Sequence, residues 1–195
     1  MKKKIMLLTT LLAALAIHAC SPAPSQATGT LPAATQAQPA PVGTFALTSP
    51  AFAAGDAIPT QYGCTGQNIS PALNWSTPPT GTQSLALTLF DPDAPGGGFI
   101  HWVIYNIPAA NSGLPEALST DSQLTDGSLQ GKNGAASNGY IGPCPPSGTH
   151  HYIFTLYALD TGLSQLSTDA DQAQLLQAMQ GHILAQTELT GTFGR

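Results

Sequence analysis

Three short segments gather the side chains able to do chemistry. Asp91-Pro92-Asp93-Ala94-Pro95 runs into Gly96-Gly97-Gly98-Phe99-Ile100-His101-Trp102; Gly142-Pro143-Cys144-Pro145-Pro146-Ser147-Gly148 follows, and then Thr149-His150-His151-Tyr152. Carboxylates, imidazoles and a phenol set among Gly/Pro turns suit the capture of a small anion, because loops at strand ends are where a rigid scaffold presents such groups. None of the three segments holds a Lys or Arg. The expected donors are therefore the imidazole N–H groups of His101 and His150 and backbone N–H groups freed by the 142–148 loop. Asp91 when ionised repels an anion, so its expected part is to orient and charge a histidine, or to donate when protonated. Such a site predicts occupancy that weakens as pH climbs past the histidine pKa. Each residue also has an ordinary structural reading. Asp91 and Asp93 beside prolines can shape turns, and His101 next to Trp102 can be a hydrogen-bonded core histidine.

Catalysis is the competing use of the same side chains. Asp91, His101 and His150 could form a general acid/base group or, with a metal, a two-histidine one-carboxylate site. No serine or cysteine stands in a nucleophile motif, and Ser147 has only His150 as a candidate partner. The expectation is a binding protein, with no catalytic residue, metal or cofactor assigned. Cys64 and Cys144 neither number nor space as a zinc site, and their pairing as a disulfide is left open, since spacing alone gives no Cα separation.

Strands must position these segments. Residues 44–47, 84–90, 101–107 and 152–159 carry strand signals, separated by Pro59, Pro71, Pro78-Pro79, Pro92 and the triple glycine. The 152–159 run is apolar on both faces, as a central strand is. One helix is predicted over 169–184, with Leu175, Leu176, Met179, Ile183 and Leu184 at helical spacing, Thr168 or Asp169 as N-cap, and His182 as a solvated or packing residue on it. A short terminal strand over 189–193 closes the chain. The sequons at Asn68 and Asn74 are read as coincidental.

The front of the chain is of another kind. Lys2, Lys3 and Lys4 precede an apolar run and Ala19-Cys20, the pattern of a lipoprotein signal over 1–19 with Cys20 as the lipidated residue. Residues 20–43 are Pro, Ala, Thr and Gln without charge, a tether reaching roughly 25 to 30 Å. By resemblance to lipoproteins of Gram-negative bacteria, Ser21 after the cysteine implies the periplasmic face of the outer membrane. About 150 residues, 44–195, remain for one domain. In it Lys132 and Arg195 face all ten carboxylates, which excludes nucleic-acid binding and polybasic membrane attachment; membrane contact falls to the Cys20 lipid.

The order and spacing of these motifs resemble the phosphatidylethanolamine-binding proteins (PEBP), or Raf kinase inhibitor-like proteins, in their bacterial branch. The resemblance runs from Phe45-Ala46-Leu47-Thr48-Ser49-Pro50 through Asn68-Ile69-Ser70-Pro71, Trp75, the DPDAP segment, His101-Trp102-Val103 and the 142–152 stretch to Leu189-Thr190-Gly191-Thr192-Phe193. It implies a mainly β fold, a PEBP-like β-sandwich with a flanking C-terminal helix and short terminal strand. It implies a pocket for phosphate-like, phospholipid-headgroup-like or carboxylate anions, with Asp91, His101 and His150 at its matching positions and Gly142 and Tyr152 lining it. Some relatives act by protein contact, which keeps a secreted serine-protease partner and a homodimer as alternatives. His151 stands where eukaryotic relatives carry arginine, so any recognition role of that arginine does not transfer.

Overall fold

Seven of the eight residues of Ser84–Asp91 are buried, so this segment needs neighbours on both edges and cover on both faces. The computed structural model, which describes residues 44–195, provides them. In chain order the strands are β1 (Leu47–Thr48), β2 (Leu73–Trp75), β3 (Ser84–Asp91), β4 (Phe99–Pro108), β5 (Gly113–Leu114), β6 (Leu129–Gln130), β7 (Thr149–Leu159) and β8 (Ile183–Gly194). One sheet runs β6-β4-β3-β7-β8 and a smaller one β1-β2-β5; the pairings within both are antiparallel. The predicted mainly β, two-sheet fold with one flanking helix is the fold observed.

Leu85, Leu87 and Leu89 alternate with Ala86 along β3, and the two sets enter different cores. The odd positions join Leu73, Trp75 and Leu114 of the small sheet and Trp102, Phe154 and Leu156 of the large one. Ala86 lies on the other face with Val103, Tyr105, Tyr157 and Leu159, under Leu175 of the helix and Met179 at its C-cap. Trp102 is fully buried, and its indole N–H donates to Gln130 Oε1 at 2.7 Å; Gln130 in turn donates to the Ser119 and Asp121 carbonyls, which fixes β6 at the sheet edge.

Several element boundaries differ from expectation. The helix α1 spans only Gln172–Ala178, not 169–184, and its N-cap is Asp171, which forms a capping box with Gln174. Gly181, at φ +79°, turns the chain, and Ile183 and Leu184 open β8 instead of continuing the helical stripe. The cause is tertiary. β8 pairs with β7 from Leu159↔Ile183 to Thr149↔Gly194, a ladder that local periodicity cannot register. The terminal strand is thus twelve residues long, and Ile183 and Leu184 are left exposed. His182 sits in the turn, not on a helix, paired with Asp160 at 2.8 Å. β1 lies at Leu47–Thr48, later than the predicted 44–47, because its register follows Trp75 and Asn74 of β2. β2, β5 and β6 are too short for a periodic signal.

Candidate functional site

The site forms where β3, β4 and β7 end together. Leu85, Leu87, Leu89 and Asp91 share one face, so the strand that fills the inter-sheet core delivers a carboxylate at its end. His150, Tyr152 and Phe154 do the same on β7. His101 arrives by an irregularity. Phe90 pairs with Ile100 and Leu89 with Trp102, so His101 is the extra residue of a β-bulge. The bulge lets consecutive residues turn to the same side, Trp102 into the inter-sheet core and His101 edge-on to Tyr152, with ring centroids 5.2 Å apart. Phe99 packs against the imidazole from beyond, at 4.8 Å.

These groups floor a cavity of about 250 Å³. Asp91, His101, Gly142 and His150 line it, with Ala94, Pro95, Phe99, Ile141, Cys144, Pro145 and Pro146 forming an apolar rim. Four of the five predicted ligand residues therefore meet there. Tyr152, the fifth, is fully buried and does not line the cavity; it lies beneath, its hydroxyl without a hydrogen-bond partner and flanked by the Asp91 carboxylate and the Cys144 amide. The rim residues were within or beside the segments singled out by sequence, but nothing in an apolar side chain marked them individually.

Asp91 is placed to orient His150. Its Oδ2 accepts from His150 Nδ1 at 2.8 Å and its Oδ1 from the Asp93 N–H at 2.9 Å, with the carboxylate almost wholly buried. His101 Nδ1–H donates to the Ile141 carbonyl at 2.8 Å. Burial pushes the His101 imidazole below its ordinary value, against the opposing pull of the Ile141 carbonyl and the Asp91 charge. Burial, reinforced by Asp91, pushes the Tyr152 phenol well above its ordinary value, so it stays a donor. Asp93 accepts from both the backbone and the ring of His151, at 2.7 and 2.8 Å. These bonds hold its carboxyl below the ordinary value and tie the 92–98 loop to β7.

The 140–146 wall is fastened to a second loop. Cys64 and Cys144 form a disulfide with Cα atoms 5.4 Å apart, and the Cys64 N–H donates to the Pro143 carbonyl at 3.0 Å. Tyr140 donates to the Tyr62 carbonyl at 2.9 Å, and the Gly142 N–H to Asn68 Oδ1 at 2.7 Å. That last bond corrects the expected donor set. Gly142 lines the cavity, but its N–H is spent on Asn68, and Pro143, Pro145 and Pro146 have none. Gly142 is required for another reason: a Cβ there would stand 2.2 Å from the Tyr62 carbonyl oxygen. Asn68 escaped sequence reasoning because its partner is 74 residues away.

Lys132 is held by Asn138 and Asp169, away from the cavity, and Arg195 does not line it. Among the described residues, no group of three or more His, Cys, Asp or Glu side chains is placed to hold a metal ion. Cys20, the expected lipidation site, lies outside the described residues.

A sequence model of the phosphatidylethanolamine-binding protein family matches residues 48–194. A UPF0098 protein of Methanothermobacter thermautotrophicus is 49% identical over 138 residues, covering 71% of this chain and 91% of that one. A Mycobacterium tuberculosis protein that carries the name lipoprotein LppC is 44% identical over 149 residues, 75% of this chain and 71% of its own. Among solved structures, Escherichia coli YbcL, described as a member of the mammalian PEBP family, superposes with a TM-score of 0.72 at 35% identity, covering 77% of this chain and 98% of that one.

Proposed function

The chain belongs to the phosphatidylethanolamine-binding protein family, and from that premise we propose that it binds a small phosphate-like or headgroup-like anion in the Asp91, His101 and His150 pocket, as a binding protein and not an enzyme. The observation that carries this reading is the pairing of His150 with a buried carboxylate beside a second, bulge-presented histidine, both facing one small cavity. The Asp91 charge pulls His101 toward its imidazolium form, against the effect of burial, and the Asp91 carboxylate orients His150. Ser147 makes no hydrogen bond to His150 among the described residues, which supports binding over serine-type hydrolysis.

The leader and Cys20 support export with a lipid anchor, on the periplasmic face of the outer membrane, and the name of the mycobacterial relative agrees with the anchor. Calorimetric titration of the full-length protein in mild detergent with phosphate, phosphoethanolamine and acetate at about pH 6 tests the pocket. Saturable heat that disappears in a His101→Ala/His150→Ala variant is the expected result. Equal binding by the variant, or none by the parent, would remove the proposal.

A further inference from the structure

The wall of the pocket changes character at Pro143. Up to that residue hydrogen bonds fasten it: the Ile141 N–H donates to the His101 carbonyl, the Gly142 N–H to Asn68 Oδ1, and the Pro143 carbonyl accepts from the Cys64 N–H. From Cys144 to Ser147, among the described residues, no backbone–backbone hydrogen bond is made, and pairing resumes only at Gly148 and Thr149, which meet Arg195 and Gly194. Pro145 and Pro146 have no N–H to donate. Yet Cys144, Pro145 and Pro146 all line the cavity, so one lip of the pocket stands on a stretch without a ladder.

What fastens that lip is the disulfide. It joins Cys144 to Cys64, on the loop that follows the 3-10 turn Thr60–Tyr62. The domain beneath does not rest on the sulfurs: neither hydrophobic core contains a cysteine, and Tyr62 and Tyr140 pack into the inter-sheet core, with the Tyr140 hydroxyl bonded to the Tyr62 carbonyl. Both cysteines are exposed, and Cys64 stands between Gly63 and Thr65-Gly66, with no bulky chain neighbour to shield it. An exposed cystine is open to attack by a thiolate, and such links are the labile or regulatory ones, in contrast with buried structural disulfides.

Building on the anion-binding reading above, we propose that the Cys64–Cys144 cystine is a redox modification site that sets the affinity of the pocket, with a dithiol as its co-reactant. A thiolate of the dithiol attacks Cys64 Sγ, the Sγ–Sγ bond breaks, and Cys144 leaves as a thiolate that takes up a proton. The second thiol then attacks the mixed disulfide, releases Cys64 as a thiol and closes the reductant into a disulfide of its own. Two electrons and two protons pass from the dithiol to the cystine. The 144–147 lip is then unfastened, while the Cys64–Pro143, Gly142–Asn68 and Tyr140–Tyr62 bonds and both cores keep the domain folded. A lip that holds its cavity-forming position about one tenth of the time binds the anion about tenfold more weakly. The coupling is reciprocal, so an anion in the pocket makes the cystine harder to reduce by the same factor.

The test is calorimetry with inorganic phosphate on the full-length protein in detergent, at about pH 7, in three forms: oxidised, reduced with dithiothreitol, and the Cys64→Ser/Cys144→Ser variant. Reduction is expected to proceed without denaturant and to leave the β-sheet circular dichroism in place. Phosphate should bind at least about tenfold more weakly to the reduced protein and to the variant, and reoxidation should restore the affinity of the reduced protein. Equilibration against mixtures of reduced and oxidised dithiothreitol, with alkylation mapped to Cys64 and Cys144, supplies the reciprocal measurement: saturating phosphate should move the balance toward the cystine by the same factor. Equal phosphate affinity in the oxidised and reduced forms overturns the redox site and leaves the anion pocket standing. Thiols that appear only in denaturant, or loss of the β-sheet signal on reduction, make the cystine a structural staple and overturn it as well. No phosphate heat from the oxidised protein removes the anion reading, and the redox proposal with it.

Discussion

Tyr152 carries a hydroxyl that is sealed from solvent without a partner, which costs stability unless something else draws on it. Tyr152→Phe should leave the protein as stable or up to about 1 kcal/mol more stable in urea denaturation, with phosphate binding unchanged because the hydroxyl does not reach the cavity. A loss of stability of more than that would mean the hydroxyl is satisfied in the fold. His101 makes a second residue-scale prediction. Its folded pKa lies below the unfolded value of 6.5, so as pH falls from 6.5 the unfolded chain takes up the proton first and the stability of the empty protein declines until the lower folded pKa is passed. A His101→Gln variant should show a shallower decline between about pH 7 and 5. Asp91, His101 and His150 were legible in the sequence because rare polar side chains crowded into Gly/Pro segments. The partners that set their tautomers, the Ile141 carbonyl and the Asp91 carboxylate, were 40 and 59 residues away and could not be paired by spacing.

Among the elements, the 140–146 wall has no regular ladder of its own and is shaped by what it touches. The Cys64–Cys144 disulfide closes a separation of 80 residues, so a Cys64→Ser/Cys144→Ser variant should lose about 3 to 5 kcal/mol in denaturation, and its pocket wall should loosen with it. Gly142→Ala would force the wall away from Tyr62 and Asn68; a destabilisation of about 1 to 3 kcal/mol, with a weakened phosphate titration, is expected. Unchanged affinity in that variant would show that the wall does not shape the site. The element that sequence misplaced, the helix predicted through Leu184, fails for a related reason. Ile183 and Leu184 satisfy a helical stripe and a strand equally well, and the pairing with β7 decides for the strand.

On the scale of the whole molecule, two cations against ten carboxylates make the domain field repel the anion that the pocket admits. Raising ionic strength from about 0.01 to 0.15 M shortens the screening length from about 30 to 8 Å, so phosphate affinity should rise severalfold with salt, the reverse of the usual trend for an anion site; a fall would point to a cation near the ligand. By itself the sequence determined the β-rich class, the acidic domain and the identity of the three polar side chains, because composition, alternation and rare residue types are local properties. The bulge at His101, the Asp91–His150 bond, the Gly142–Asn68 bond and the Cys64–Cys144 link were decided only by the tertiary structure. Each joins a polar or cross-linking group to one brought near by sheet register, and register is set by burying both faces of β3 at once, a condition that no single segment contains.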